Sequence, residues 1–162
     1  MRATFALLGL LLTATPAFAI TPMWSTITPD QEGSTTGGNA IGQGTFTLND
    51  ARTELHYHIV FSGLTSNLLG AHIHYGEEGA PGPIWFFLSG GGGTSGTFDG
   101  TWTAASSPYG LSPDRVNSLL AGLLYVNIHS ANYPSGEIRG QILMGPTPTR
   151  GSTWGRIKRL YR

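Results

Sequence analysis

The sequence predicts an all-β chain: an antiparallel sandwich or barrel with one short helix near 112–122. Three observations lead there. Apolar residues recur at every second position through most of the chain, which places them on one face of a strand. Gly, Pro, Asn and Ser clusters punctuate these runs about every tenth residue, as in sandwiches built from short strands. The composition agrees: 24 of 162 residues are glycine and only 11% are charged, which excludes a coiled coil or long helical bundle. The 40% hydrophobic share, with 4 Trp, 6 Tyr and 7 Phe, excludes wholesale disorder.

The elements follow in order. Residues 20–43 are mostly Thr, Ser, Gly and Pro and read as an N-terminal lead-in with one edge strand. Gly44 to Leu48 is a strand. Glu54 to Phe61 is a clearer one: Leu55, Tyr57, Ile59 and Phe61 share a face, with Glu54, His56 and His58 on the other. Gly70 to Tyr75 puts Ala71 and Ile73 inward and His72 and His74 outward. Residues 76–83 form a long glycine–proline turn. Ile84 to Leu88 is a continuous apolar run and reads as a fully buried strand. After the 90–93 glycine loop, Thr97 to Thr103 alternates Phe98 and Trp102 with polar residues.

One helix stands out. Ser112 is the N-cap, Pro113 the first helical position, Asp114 lies at the positive end of the dipole, and Gly122 closes it. Val116, Leu119, Leu120 and Leu123 face the core. Leu124 to Ser130 is the next strand, with Leu124, Val126 and Ile128 inward. After a turn at Asn132–Gly136, Glu137 to Leu143 returns with Ile138, Gly140 and Ile142 inward. Glu137 and Arg139, on the outer face, read as a cross-strand ion pair or as partners of other polar groups.

The ends differ from the body. Arg2, the apolar run Ala3–Leu12 and the Ala17-Phe18-Ala19 motif read as a signal peptide over residues 1–19, cut after Ala19. The run is far short of the ~20 residues of a membrane span. The expected location is secreted, periplasmic or cell-surface. With no cysteine there is no disulfide, thiolate zinc site, Fe–S cluster or cysteine nucleophile, so burial must stabilise the exported domain. Residues 20–145 carry three arginines against nine acids, a formal net of −6. Residues 146–162 carry five basic residues and no acid, a net of +5. The expected organisation is thus a signal peptide (1–19), lead-in (20–43), β domain (44–145), and Pro/Thr linker with basic tail (146–162). The tail reads either as plain basic chain or as a peptide that docks to a sorting or surface component. Specific nucleic-acid binding is not expected, for there is no folded basic face.

Three blocks carry a family resemblance: Ala71-His72-Ile73-His74-Tyr75-Gly76-Glu77-Glu78-Gly79, then Tyr125-Val126-Asn127-Ile128-His129, then Pro134-Ser135-Gly136-Glu137-Ile138-Arg139-Gly140-Gln141. In that order they resemble the CHRD (chordin-type) domain over residues 40–143, in a single-domain secreted form. The resemblance implies an immunoglobulin-like barrel related to copper/zinc superoxide dismutases. It implies no settled activity.

The histidines are the candidate chemistry. All five fall on the polar parity of their strands. His72 and His74 share a face at spacing two, and His129 on a later strand supplies a third ligand for Zn²⁺ or Cu²⁺. His56 and His58 are a weaker pair that either extends such a site or faces solvent. His-x-His followed by a later strand histidine is similar to part of the dismutase copper site. The matching zinc loop, bridging histidine and aspartate motif are missing, so dismutase chemistry is not expected. The competing reading is a hydrogen-bonded polar cluster with Asn127, Glu137 and Arg139 as partners. Glu77 and Glu78 read as solvated turn charge. Gly90–Gly93 lacks the lysine of a phosphate loop, and no G-x-S-x-G elbow is present.

Two functions follow. One is an exported, non-catalytic binding or surface module for an extracellular protein or glycan, using the loops at 76–83 and 89–96. The alternative is a His-cluster copper or zinc protein, with redox chemistry as its extension.

Overall fold

The computed structural model describes residues 20–33, Thr36 and 38–145. The signal peptide and basic tail expected from the sequence lie outside the described residues. The fold is an all-β sandwich of two antiparallel sheets with one short α-helix, as the periodicity implies.

The strands are β1 (Thr21–Ile27), β2 (Ile41–Leu48), β3 (Glu54–Ser62), β4 (Leu68–Tyr75), β5 (Ile84–Phe87), β6 (Gly96–Thr103), β7 (Leu124–Ser130), β8 (Ile138–Gln141) and β9 (Leu143–Met144). One sheet has the order β6-β3-β2-β1-β9 and the other β5-β4-β7-β8. The helix α1 (Pro113–Leu120) precedes β7. Its cap is as expected: Ser112 Oγ accepts from Arg115 N, and Gly122 has φ +73°.

β3 alternates without a break, burying Leu55, Tyr57, Ile59 and Phe61 and exposing Glu54, His56, His58, Val60 and Ser62. The core adds Phe46, Phe98, Trp102, Ile73, Val126 and Ile128 from the facing strands. The two sheets also meet along one side. Thr28, just past β1, exchanges two backbone hydrogen bonds with Arg139 of β8. Gly140 permits that contact, since a Cβ there would collide with Ser25 Oγ and Thr26 O.

Three details differ from the sequence reading. The strand expected in the lead-in is β1, but it is not an edge strand: it lies between β2, paired along its whole length, and the short β9, and β2 itself begins within the lead-in at Ile41. A run rich in Thr and Pro is a weak strand signal, but its inward positions, Met23, Ser25 and Ile27, are all buried. β5 is not a fully buried strand. It lies at a sheet edge, where Phe86 packs on Trp102 while Phe87 stays 46% exposed. Consecutive apolar residues here serve two faces.

The third difference concerns β7. All seven of its residues are buried, including the outward Tyr125, Asn127 and His129. The 76–83 loop lies over Tyr125, whose hydroxyl accepts from Gly82 N at 3.1 Å, and the Pro134 carbonyl meets His129. Arg139 donates to Ala80 O at 2.8 Å and Glu77 O at 2.7 Å, and Gln141 Nε2 to Gly76 O at 2.8 Å. Glu32 adds a further cover through Asn127 Nδ2 at 3.3 Å.

Candidate metal centre

The site is built on the β4–β7 pair. In this register Gly70 lies opposite His129, His72 opposite Asn127, and His74 opposite Tyr125. Side chains two apart on a strand share a face, so three imidazoles gather on the outer side of the second sheet. Their ring centroids lie 4.9 Å (His72–His129), 5.6 Å (His72–His74) and 6.1 Å (His74–His129) apart. One nitrogen from each falls within 4.8 Å of the other two.

Backbone carbonyls set the tautomers. His74 Nδ1 lies 2.9 Å from Gly82 O, and His129 Nδ1 lies 3.0 Å from Pro134 O. A carbonyl can only accept, so each Nδ1 carries the hydrogen and each Nε2 presents a lone pair. This is the outer-shell bond that orients metal-binding histidines. His129 Nε2 faces His72 Nδ1 at 3.1 Å. Two nitrogens on one ion with bonds near 2.0 Å sit about 3.3 Å apart, so that pair is already at coordination spacing. His74 Nε2 is buried without a hydrogen-bond partner among the described residues. A purely structural cluster normally satisfies such an atom.

All three imidazoles are held neutral. Burial, with the neighbouring His129 and His74, lowers His72 to a pKa of about 4. Burial lowers His74 too; the Gly82 carbonyl opposes this and Arg139 adds to it. His129 is lowered by burial against the pull of the Pro134 carbonyl, with His74 contributing. Neutral imidazole is the form that binds metal.

The expected hydrogen-bond partners of the cluster are not its partners. Glu137 is fully buried and accepts from Thr65 N at 2.7 Å and Thr65 Oγ1 at 3.1 Å. Arg139 binds the 76–83 loop, so the two do not form the cross-strand ion pair read from their shared face. Asn127 turns to Glu32. The same contacts make the 76–83 loop a fixed cover of the sheet, while Glu77 and Glu78 leave their side chains to solvent.

His56 and His58 lie on the outer face of the other sheet. His58 Nδ1 meets Asp99 Oδ1 at 2.5 Å, and His56 Nδ1 meets Thr101 Oγ1 at 2.8 Å. Both side chains are more than half exposed, and the sandwich core separates them from the triad. Among the described residues, His72, His74 and His129 are the one group of three metal-capable side chains that converges.

Tyr125 and Phe87 escaped the sequence reading of the triad, and Arg139, expected there as a hydrogen-bond partner, acts instead through a ring. Tyr125 stacks on His74 at 5.0 Å and 13°. Arg139 Cζ sits 3.4 Å from the centre of the Tyr125 ring. Phe87 meets His72 edge-on at 5.0 Å. Tyr125 shares the parity of His129, which was a usable signal. The Arg139 and Phe87 contacts needed the sheet order.

The family model of the CHRD domain matches residues 24–142. The chain belongs to the CHRD domain family. No curated protein and no solved structure matches it. The CHRD match takes in β1 from Trp24 onward and every strand from β2 through β8, so both sheets of the sandwich belong to the family unit. It also contains all three histidines of the triad and the hairpin that carries Arg139. No helix among the described residues is long and apolar enough to cross a membrane.

Proposed function

We propose that this CHRD protein is an exported metal-binding module, with His72, His74 and His129 as ligands for a copper or zinc ion. One observation carries the reading. Two buried imidazoles are pinned by backbone carbonyls so that their Nε2 lone pairs converge with His72, and one of those atoms has no other partner. In the metal-free protein the His72 Nδ1 hydrogen bridges to His129 Nε2. To hold a metal through Nδ1, His72 would carry that hydrogen on Nε2 instead, leaving Nδ1 as the third lone pair of the set. Export is supported by the signal-peptide pattern of residues 1–19. Metal content by mass spectrometry on the exported chain, followed by Cu²⁺ and Zn²⁺ titration, tests the proposal. One equivalent is expected, abolished in His72→Ala and His129→Ala and retained in His56→Ala and His58→Ala. Unchanged binding in both triad variants rejects it.

A second reading, a surface module for an extracellular protein or glycan, has its own observation. Tyr75 stacks on Trp85 at 4.6 Å, Phe87 on Tyr109 at 6.0 Å, and Arg115 lies over both Trp85 and Tyr109. This aromatic belt runs beside the edge strand β5, and a sheet edge is a usual peptide-docking site. Trp85→Ala is expected to abolish retention on immobilised extracellular partner or glycan while leaving metal content intact. Equal retention by wild type and variant rejects this reading.

A further inference from the structure

We propose that the triad selects cuprous ion, Cu⁺, over Cu²⁺ and Zn²⁺, and that Arg139 acts through Tyr125 as the positioning residue behind this choice. The inference rests on the metal-binding reading above and names the ion.

The donor set comes first. It consists of three neutral imidazoles, and no carboxylate of the described residues joins the converging group. The two acids nearby that are not on the surface stay outside the converging group: Glu32 accepts from Asn127 through Oε1, its Oε2 having no partner among the described residues, and Glu137 accepts from Thr65. A divalent ion here would have no anionic ligand. The cost of placing an ion in a poorly solvated site grows with the square of its charge, so it falls more heavily on Zn²⁺ and Cu²⁺ than on Cu⁺.

Coordination number points the same way. Zn²⁺ completes a tetrahedron with a fourth ligand or water. Two rings flank the triad, Tyr125 stacked on His74 and Phe87 edge-on to His72, and neither offers a fourth ligand. Solvent does not reach His74 Nε2. A filled-shell monovalent ion accepts three nitrogens in a plane and needs no fourth.

The third observation is a stack. The Arg139 guanidinium lies 3.4 Å from the Tyr125 ring, and that ring is stacked at 5.0 Å on His74. Arg139 is only 4% exposed, and two loop carbonyls hold its guanidinium in place. A fixed positive charge one ring away from a ligand repels each additional charge on the metal. At such a distance and an effective dielectric constant of ~20, one unit of charge is worth about tenfold or more in the ratio of Cu⁺ to Cu²⁺ affinity.

The test uses the full exported chain without metal. Cu⁺ affinity is measured anaerobically by competition with bicinchoninate, Cu²⁺ and Zn²⁺ affinities by competition with chelators, and ligand number by X-ray absorption. The expected result is Cu⁺ bound most tightly, with three nitrogen ligands and no fourth. Arg139→Gln is expected to lower the Cu⁺/Cu²⁺ affinity ratio about tenfold, while Arg139→Lys, which keeps the charge, retains it. Circular dichroism on both variants verifies the fold. Should Arg139→Gln unfold, Arg139→Met, which also removes the charge but keeps an unbranched apolar stem, is expected to lower the same ratio about tenfold. Tighter Zn²⁺ or Cu²⁺ binding overturns the inference and leaves the metal site standing. An unchanged ratio in folded Arg139→Gln overturns the role of Arg139. No binding of any of the three ions overturns the metal-binding reading itself.

Discussion

At the scale of single residues, environment rather than identity separates the five histidines. His56 and His58 keep solvent and hydroxyl or carboxylate partners, while His72, His74 and His129 lose water and gain one another. That difference has a pH signature in the metal-free protein. Above pH ~6.5 His72 is neutral both folded and unfolded. Between there and about 4, the unfolded chain takes up a proton that the folded one refuses. Stability is therefore expected to fall as the pH drops through that window. Urea denaturation at stepped pH checks this; the slope should flatten in His72→Ala, and an identical slope rejects the assignment. Glu137 makes a different prediction. It is fully buried and satisfies the backbone N–H of Thr65, so Glu137→Ala leaves that donor unpaired. A loss of about 1–3 kcal/mol is expected by chemical denaturation.

At the scale of elements, close approach governs. β8 contacts β1 only because residue 140 has no side chain. Gly140→Ala is expected to cost about 1–3 kcal/mol by overpacking, read as a lower thermal midpoint. The helix is a local object by comparison. Removing its cap in Ser112→Ala should cost about 0.5–1 kcal/mol and leave metal binding unchanged. This contrast also explains what was legible beforehand. α1 has its cap, proline, acid and closing glycine within eleven residues, so it could be placed from the sequence. β3 could be placed because one of its faces is wet and the other dry. β7 has no wet face, and its outward polar residues look solvated until the 76–83 loop, Glu32 and the Pro134 carbonyl are laid over them. β5 misled in the opposite sense, since an apolar run at a sheet edge divides between the core and an exposed aromatic belt.

At the scale of the whole molecule, the sandwich gives each sheet's outer face a separate task. The first presents exposed Thr, His and acidic side chains, and the second carries the triad, with His74 and His129 buried and His72 partly so. The core between them is anchored by Trp102, which is fully buried and donates Nε1–H to Tyr109 O at 2.7 Å. Trp102→Ala is expected to cost about 3–5 kcal/mol and to abolish both faces together, read as loss of cooperative unfolding and of metal. The basic segment 146–162 is proposed as a docking peptide. Deleting it is expected to release or mislocalise the protein without changing metal stoichiometry, and an unchanged distribution rejects that role.

The sequence by itself determined the fold class, the position of the helix, the parity of each histidine and the motifs that mark the CHRD family. These are properties of local periodicity and short-range steric preference, which neighbouring residues settle among themselves. Tertiary structure alone decided that His72, His74 and His129 converge while His56 and His58 do not. It also decided that Gly82 and Pro134 carbonyls fix two tautomers, and that Arg139 stacks behind Tyr125. Those outcomes depend on strand order, on register and on which loop covers which face. Such long-range pairings are chosen by burial summed over the whole molecule, so no short stretch of sequence contains them.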